Sequence, residues 1–228
     1  MKKISLLLLL LPMMAFAGCQ KQLPQTSDQR TFDIYGPVRE CRTYTMTINA
    51  KDAGVNWKQF VKESKNTPAI IDVADKADTL RFFDNDSLKM EDRMLYVRDT
   101  LNGNRLTRIN HGRYYNYLTE LYYTIDFTYN MAGYPENVII SYWDHDSNLT
   151  YQYDKKNRLA KAEGELSRES VVQKVSKEYT YISKDKYGNW TRRVAKVQVI
   201  ENDIADEDAV EKHYVQYQIE DRQFTYRE

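Results

Sequence analysis

The side chains in this sequence with the means to do chemistry are three histidines, two cysteines and several runs of carboxylates. His111 stands beside a glycine, His145 between Asp144 and Asp146, and His213 at the start of an alternating run, so no two share a motif. Asp144-His145-Asp146 offers metal-ligand types. In an extended strand, however, neighbouring side chains point to opposite faces, and three consecutive ligands do not converge; a polar strand end is the plainer reading. Asp84-Asn85-Asp86-Ser87 opens like a calcium loop but lacks the glycine and the distal glutamate such a loop needs, and reads as a turn. Residues 201–211 hold six acids and no base, which suits a solvated loop better than a cation or partner site. No nucleophile elbow, His-Glu-x-x-His or phosphate loop occurs. The expectation is a protein with no catalytic constellation, no metal and no cofactor; a hydrolase would need the fold to bring distant carboxylates together.

The two cysteines differ in setting. Cys41 has no catalytic neighbours and reads as a small apolar core residue. Cys19 follows Lys2, Lys3 and an apolar run from Ile4 to Ala17 broken only by Ser5 and Pro12. That run falls short of the about 20 residues of a spanning helix and fits a secretory signal. The run ends Phe16-Ala17-Gly18-Cys19, which resembles the lipobox of bacterial lipoproteins, with Phe16 where leucine is usual. The resemblance implies cleavage before Cys19 and a diacylglycerol on its thiol. Gln20, rather than aspartate, follows the cysteine, which under the enteric sorting rule favours the outer membrane. The plainer alternative is a secreted protein cut after Ala17 or Gly18. With Cys19 lipidated, Cys41 has no intrachain disulfide partner.

The elements that must position these residues follow from periodicity. Tyr44, Met46 and Ile48 alternate with threonines; Leu121, Tyr123, Ile125, Phe127 and Tyr129 alternate with Tyr122, Thr124, Asp126 and Thr128; Leu149, Tyr151 and Tyr153, and Val215, Tyr217 and Ile219, repeat the pattern. Period-two alternation predicts antiparallel sheet with one buried and one wetter face. Trp57, Phe60 and Val61 instead stand at helical spacing behind Asn56, predicting a short helix near 56–64 capped by that asparagine. The nineteen tyrosines suit strands and half-buried surfaces. A formal net charge of zero removes the electrostatic basis for general nucleic-acid binding.

Five places share a local design, Asp or Asn followed at the third position by Gly, Ser or Asn: Asp33–Gly36, Asp84–Ser87, Asn130–Gly133, Asp154–Asn157 and Asp185–Gly188. The first residue can bond its own backbone and the last tolerates left-handed φ, so each is expected to turn a β-hairpin, with Gly36, Gly133, Asn157 and Gly188 as the structural turn residues. The stretches Tyr151-Gln152-Tyr153-Asp154-Lys155-Lys156-Asn157-Arg158-Leu159 and Asp185-Lys186-Tyr187-Gly188-Asn189-Trp190-Thr191-Arg192-Arg193 resemble the YD repeats of the Rhs family, in the form found in small envelope lipoproteins of gut-type Gram-negative anaerobes. The clear matches cover roughly residues 120–195. Large Rhs proteins wrap such hairpins into a shell around a toxin; a chain of this length carries over the hairpin sheet and not the encapsulation.

The expected architecture is therefore all-β, an antiparallel meander of repeated hairpins. Residues 1–18 form the signal, 19–30 a tether and 31–228 one domain. The expected function is an envelope-anchored, non-catalytic lipoprotein acting as a binding or structural module. The expected partners are the membrane through Cys19 and an envelope protein or glycan, with no nucleic acid. The runner-up is a carbohydrate-binding accessory lipoprotein of a glycan-uptake system. There Trp143 and Trp190 would stack on sugar rings, against the alternative that they form a core layer. Asp78-Thr79-Leu80, Asp86-Ser87-Leu88 and Asp99-Thr100-Leu101 also match an envelope O-glycosylation tripeptide of Gram-negative anaerobes, nominating Thr79, Ser87 and Thr100, which must then be exposed.

Overall fold

The computed structural model describes residues 27–228, apart from 73–76, 84–87, 90–93, 103, 116–117, 143–144 and 207. The signal, Cys19, Ser87 and Trp143 thus lie outside the described residues. One short helix, α1 (Ser27–Thr31), leads into β1 (Val38–Asn49), α2 (Trp57–Glu63), a 3-10 turn (Ile70–Asp72) and β2 (Ala77–Arg81). The chain then runs through β3 (Met94–Asp99), β4 (Arg105–Tyr115), β5 (Leu118–Tyr129), β6 (Pro135–Tyr142), β7 (His145–Tyr153) and β8 (Leu159–Arg168). It ends with β9 (Val171–Lys184), β10 (Trp190–Asp203) and β11 (Lys212–Tyr226). All the strands belong to one antiparallel sheet in the order β2-β1-β11-β10-β9-β8-β7-β6-β5-β4-β3. From β3 to β11 it is a meander; β1 then pairs with β11, so that Cys41 faces Phe224 and Ile48 faces Tyr217.

The sheet is curled. Val38, Cys41 and Phe82, near one edge, share a hydrophobic cluster with Leu106, Ile109, Phe127 and Val138, near the other. A single sheet has no second layer to bury its apolar face, and curling lets that face bury itself. The edges β2 and β3 do not pair among the described residues. The gap is spanned at Leu88, which forms an isolated bridge with Phe82, and at Lys89, whose carbonyl accepts from the Tyr96 hydroxyl at 3.3 Å. Asp28 on α1 ties this seam. Its carboxylate accepts from Arg98 Nη1 and Nη2 of β3, both at 2.6 Å, and from the Leu88 amide at 2.6 Å. Asp28 is 1% exposed, so α1 is part of the fold, and residues 27–30, expected within a tether, are folded.

The predicted turns form as the Asx chemistry requires. At Asn130, Asp154 and Asp185, the backbone carbonyl accepts from the amide three residues on, and the side chain accepts from the amide four residues on. Gly133, Asn157 and Gly188 take φ of 82°, 56° and 89°. The three turns join β5–β6, β7–β8 and β9–β10 at one end of the sheet. Asp33–Gly36 departs from the expectation: Gly36 has φ 81°, yet the segment leaves α1 for β1 and joins no hairpin, because a helix rather than a strand precedes it. Asp84–Ser87 lies outside the described residues. A further Asx turn, at Asp99, bonds the amides of Leu101 and Asn102 and was not foreseen.

α2 begins where Asn56 Oδ1 accepts from the Gln59 amide at 3.0 Å. It packs Trp57 and Phe60 against Tyr217, with ring centroids 5.3 and 4.7 Å apart, over Tyr44, Val194 and Ile219. The segment after it is fastened by one pair. Arg192 Nε and Nη2 donate to the two Asp221 oxygens at 2.6 Å, while Nη1 and Nη2 also donate to the carbonyls of Ser64, Thr67 and Pro68. Asp221 in turn accepts from the Ile70 amide at 3.0 Å.

Three substitutions have expected outcomes in thermal and urea melts. Gly188→Val meets no neighbour but forces a β-branched residue to positive φ, and is expected to cost about 1–2 kcal/mol. Gly36→Val should cost more, since a Cβ there would lie 2.8 Å from the Tyr187 ring. Equal losses would remove the Tyr187 contact from the account. Asp221→Ala strands a buried guanidinium and is expected to cost about 3–5 kcal/mol, with α2 released before the sheet melts. A melt in which α2 stays protected from hydrogen exchange would contradict this.

Candidate functional site

Because α2 lies on the outside of β1, β10 and β11, those strands turn one apolar stripe outward. Tyr44, Met46 and Ile48, and Val215, Tyr217 and Ile219, all pack beneath it. Their other face turns into the curl and mixes polar Thr43, Thr45, Glu220 and Arg222 with apolar Cys41, Val197 and Phe224. The opposite strands do the reverse, aiming Ile109, Ile125, Phe127, Val138 and Ile140 inward. Between the two walls lies a cavity of about 840 Å³. That is the size and partly apolar character of a small-molecule site.

The polar wall is organised around Trp190. The Arg222 and Arg193 guanidinium carbons lie 3.9 and 4.2 Å from its ring centroid, and Arg193 also lies 4.3 Å from that of Tyr179. Arg193 donates to Glu220 at 2.7 Å, directly across the β10–β11 register and back to back with Arg192–Asp221 on the outer face. Arg222 donates to the Phe32 and Asp33 carbonyls and to Thr43 Oγ1. Its contacts are neutral oxygens and an indole, and burial pushes its pKa down. Lys177, in register with Ala162 and Val197 on this same face, is also pushed down by burial; Arg193 adds to the shift and Glu220 opposes it. Burial pulls the Arg193 pKa down, but Glu220 together with Tyr179 and Tyr181 more than offsets it and the net shift is upward. Tyr151, Tyr153, Tyr179 and Tyr181 are all raised by burial and stay protonated.

At the turn end a second pocket, about 320 Å³, is lined by Asp33, Tyr35, Tyr181 and Trp190. Asp33 Oδ1 and Trp190 Nε1 are buried there without a hydrogen-bond partner.

The residues nominated from sequence fall in varied places. Trp190 is 2% exposed, with its ring covered by two arginines; it is core, and the sugar-stacking reading of this residue is corrected. Thr100 is exposed in the turn after β3. Thr79 instead lies half-buried within β2, paired with Arg42, so the expectation of an exposed turn fails for it. Cys41 is fully buried and its thiol pKa is raised, chiefly by burial. The histidines stay on separate strands. His111 sits between the Tyr122 and Tyr123 rings, His145 stacks on Tyr142 at 3.9 Å, and His213 pairs with Glu211 at the surface. Among the described residues no group of His, Cys, Asp or Glu is placed to hold a metal. Sequence reasoning missed Lys177, Arg193, Glu220 and Arg222. The signal available was charge at the inward positions of β9, β10 and β11. No family model matches the chain, nor does any curated protein or solved structure.

The Lys177 shift has a sign that can be measured. The unfolded lysine holds its proton up to the ordinary value of 10.5, whereas the folded one releases it earlier. Between those points the unfolded state binds more protons, so stability rises with pH. Lys177→Met is expected to melt above wild type at pH 7, with the gap closing as pH approaches 10. A gap that stays constant would show an ammonium solvated as in water.

Proposed function

We propose that this protein is an envelope-anchored, non-catalytic lipoprotein whose curled sheet is a binding module. The envelope reading rests on Lys2, Lys3 and the Phe16-Ala17-Gly18-Cys19 signal. The binding reading rests on one observation, the cavity of about 840 Å³ between an apolar and a charged wall. A purely structural sheet gains nothing from such a space, since empty volume forfeits packing contacts. Two of the acid-base groups that line it support a non-catalytic role: Glu220 is neutralised by Arg193, and His111 is set against tyrosine rings rather than a carboxylate. A glycan-binding role loses Trp190 as a stacking platform.

Cys19→Ala is expected to leave the precursor unacylated and to move the protein from the membrane to the soluble fraction. Unchanged detergent partitioning would contradict the anchor. A screen of that soluble form against glycan, ester and peptide substrates is expected to show no turnover. Turnover abolished by Glu220→Gln or His111→Gln would make the cavity an active site instead.

A further inference from the structure

The two ends of the sheet differ in what they show to solvent. At one end stand the β3–β4, β5–β6, β7–β8 and β9–β10 turns, together with α1 and the close of β11. α1 is fixed to this rim. Arg30 Nη1 donates to the Ala132 carbonyl in the β5–β6 turn at 3.3 Å, and Thr31 Oγ1 lies 2.9 Å from the Tyr129 hydroxyl at the end of β5. The chain that carries Cys19 therefore enters the fold at this rim. From Cys19 to Ser27 is eight positions, which reach at most about 29 Å. The fourteen residues of β9 or β10 extend about 46 Å. With the strands upright, an anchored chain cannot set its opposite end on the bilayer, because the rim would then stand beyond the reach of the anchor.

Three large apolar side chains project from the rim. Leu101 in the β3–β4 turn is 94% exposed, and Met131 in the β5–β6 turn is fully exposed. Phe83 is half exposed, its carbonyl accepting from Arg227 Nη1 just past β11 at 2.6 Å. Exposed Lys155 and Lys156 follow in the β7–β8 turn, and exposed Lys184 and Lys186 at the β9–β10 turn; none of the four is in an ion pair among the described residues. The exposed carboxylates beside them, Glu136 and Glu228, are fewer. Apolar tips next to uncompensated cations suit entry into an anionic lipid interface. The opposite end also exposes apolar side chains, Ile204 and Val210, but among the six acids of residues 201–211, which such an interface repels. The outer face of α2 shows Lys58 and Lys62 without an exposed large apolar side chain.

We propose, resting on the Cys19 anchor above, that the turn rim is a second contact with the membrane, docking on a bilayer that bears anionic lipid. Leu101 and Met131 enter the interface, and the four lysines lie over its headgroups. The strands stand upright on the membrane, with the acidic β10–β11 loop farthest from it.

The test uses the acylated chain, reconstituted by its anchor into vesicles of phosphatidylcholine alone or of equal parts phosphatidylcholine and phosphatidylglycerol. Met131→Cys and Val210→Cys each place a fluorophore at one end; Cys41 is 0% exposed and stays unlabelled. With phosphatidylglycerol present, brominated lipid is expected to quench the probe at 131 severalfold more than the probe at 210. High salt, or phosphatidylcholine alone, should shrink that difference. Reversing Lys155, Lys156 and Lys186 to Glu together is expected to cut quenching at 131, with circular dichroism unchanged and the protein still floating with the vesicles. Equal quenching at 131 and 210, or none at either, in a chain that floats would overturn the docking face and leave the anchor standing. A blue shift at 131 without quenching would assign the rim to a protein contact and overturn the bilayer. A chain that carries no acyl group and does not float would remove the anchor, and the docking with it.

Discussion

The Arg192–Asp221 pair decides which side of the sheet is inside. Every donor direction of the guanidinium is used, two on the carboxylate and the rest on the carbonyls of the chain that follows α2. That arrangement holds α2 against the outer face of β10, β11 and β1. One apolar stripe of those strands is then covered outside, and the interior receives Thr43, Thr45, Arg193, Glu220 and Arg222 beside Cys41, Ala195 and Val197. Buried ion pairs are poor sources of net stability but strongly penalise alternatives that break them. Here the penalised alternative is a one-residue slip of β10 on β11. Such a slip would send Arg192 inward and Arg193 outward, because side chains alternate along a strand. The adjacent pairs Arg192–Asp221 and Arg193–Glu220 therefore fix register on both faces at once.

The stretch Gly188-Asn189-Trp190-Thr191-Arg192-Arg193 does mainly structural work. Gly188 supplies the positive φ. Asn189 is fully buried, accepting from the Tyr35 amide at 2.6 Å while donating to the Tyr35 carbonyl at 2.8 Å. Trp190 is the largest fully buried side chain, and the two arginines are the opposed pairs. The stretch stitches a hairpin to its neighbours, and only Arg193 of it also lines the cavity.

Local rules made the strands, the capped helix and three of the turns readable, because alternation, Asn56 and the Asx positions each act within a few residues. The curl was not readable. It depends on which hydrophobic stripe α2 covers, and nothing in the alternation of Tyr44–Ile48 distinguishes a stripe that faces a cavity from one that faces a helix. The same blindness hid the charged wall. Glu220 and Arg222 read as ordinary wet-face residues of a strand, and only the wrapping of the sheet makes that face an interior. Asp28 was missed for a related reason. A polar stretch beginning near Gln20 looks like a tether until its partners, Arg98 and the Leu88 amide, arrive from some 60–70 residues away.

The pairing of β1 with β11 also sets a temporal order. Each strand from β3 onward finds its neighbour as soon as the next hairpin is made, a local event. β1 is flanked only by β2 and β11, and its longer ladder, Val38 to Asn49, waits for a segment nearly two hundred positions downstream. A chain that emerges amino end first must hold β1, a helix with no surface to sit on and half of a cavity in suspense until β11 appears. Long-range closure of this kind is slow and leaves an unpaired edge open to the wrong partners. The growing polypeptide is thus at its most vulnerable just before β11 is made, and the fifteen residues of that strand, Lys212–Tyr226, act as the latch that ends the exposure.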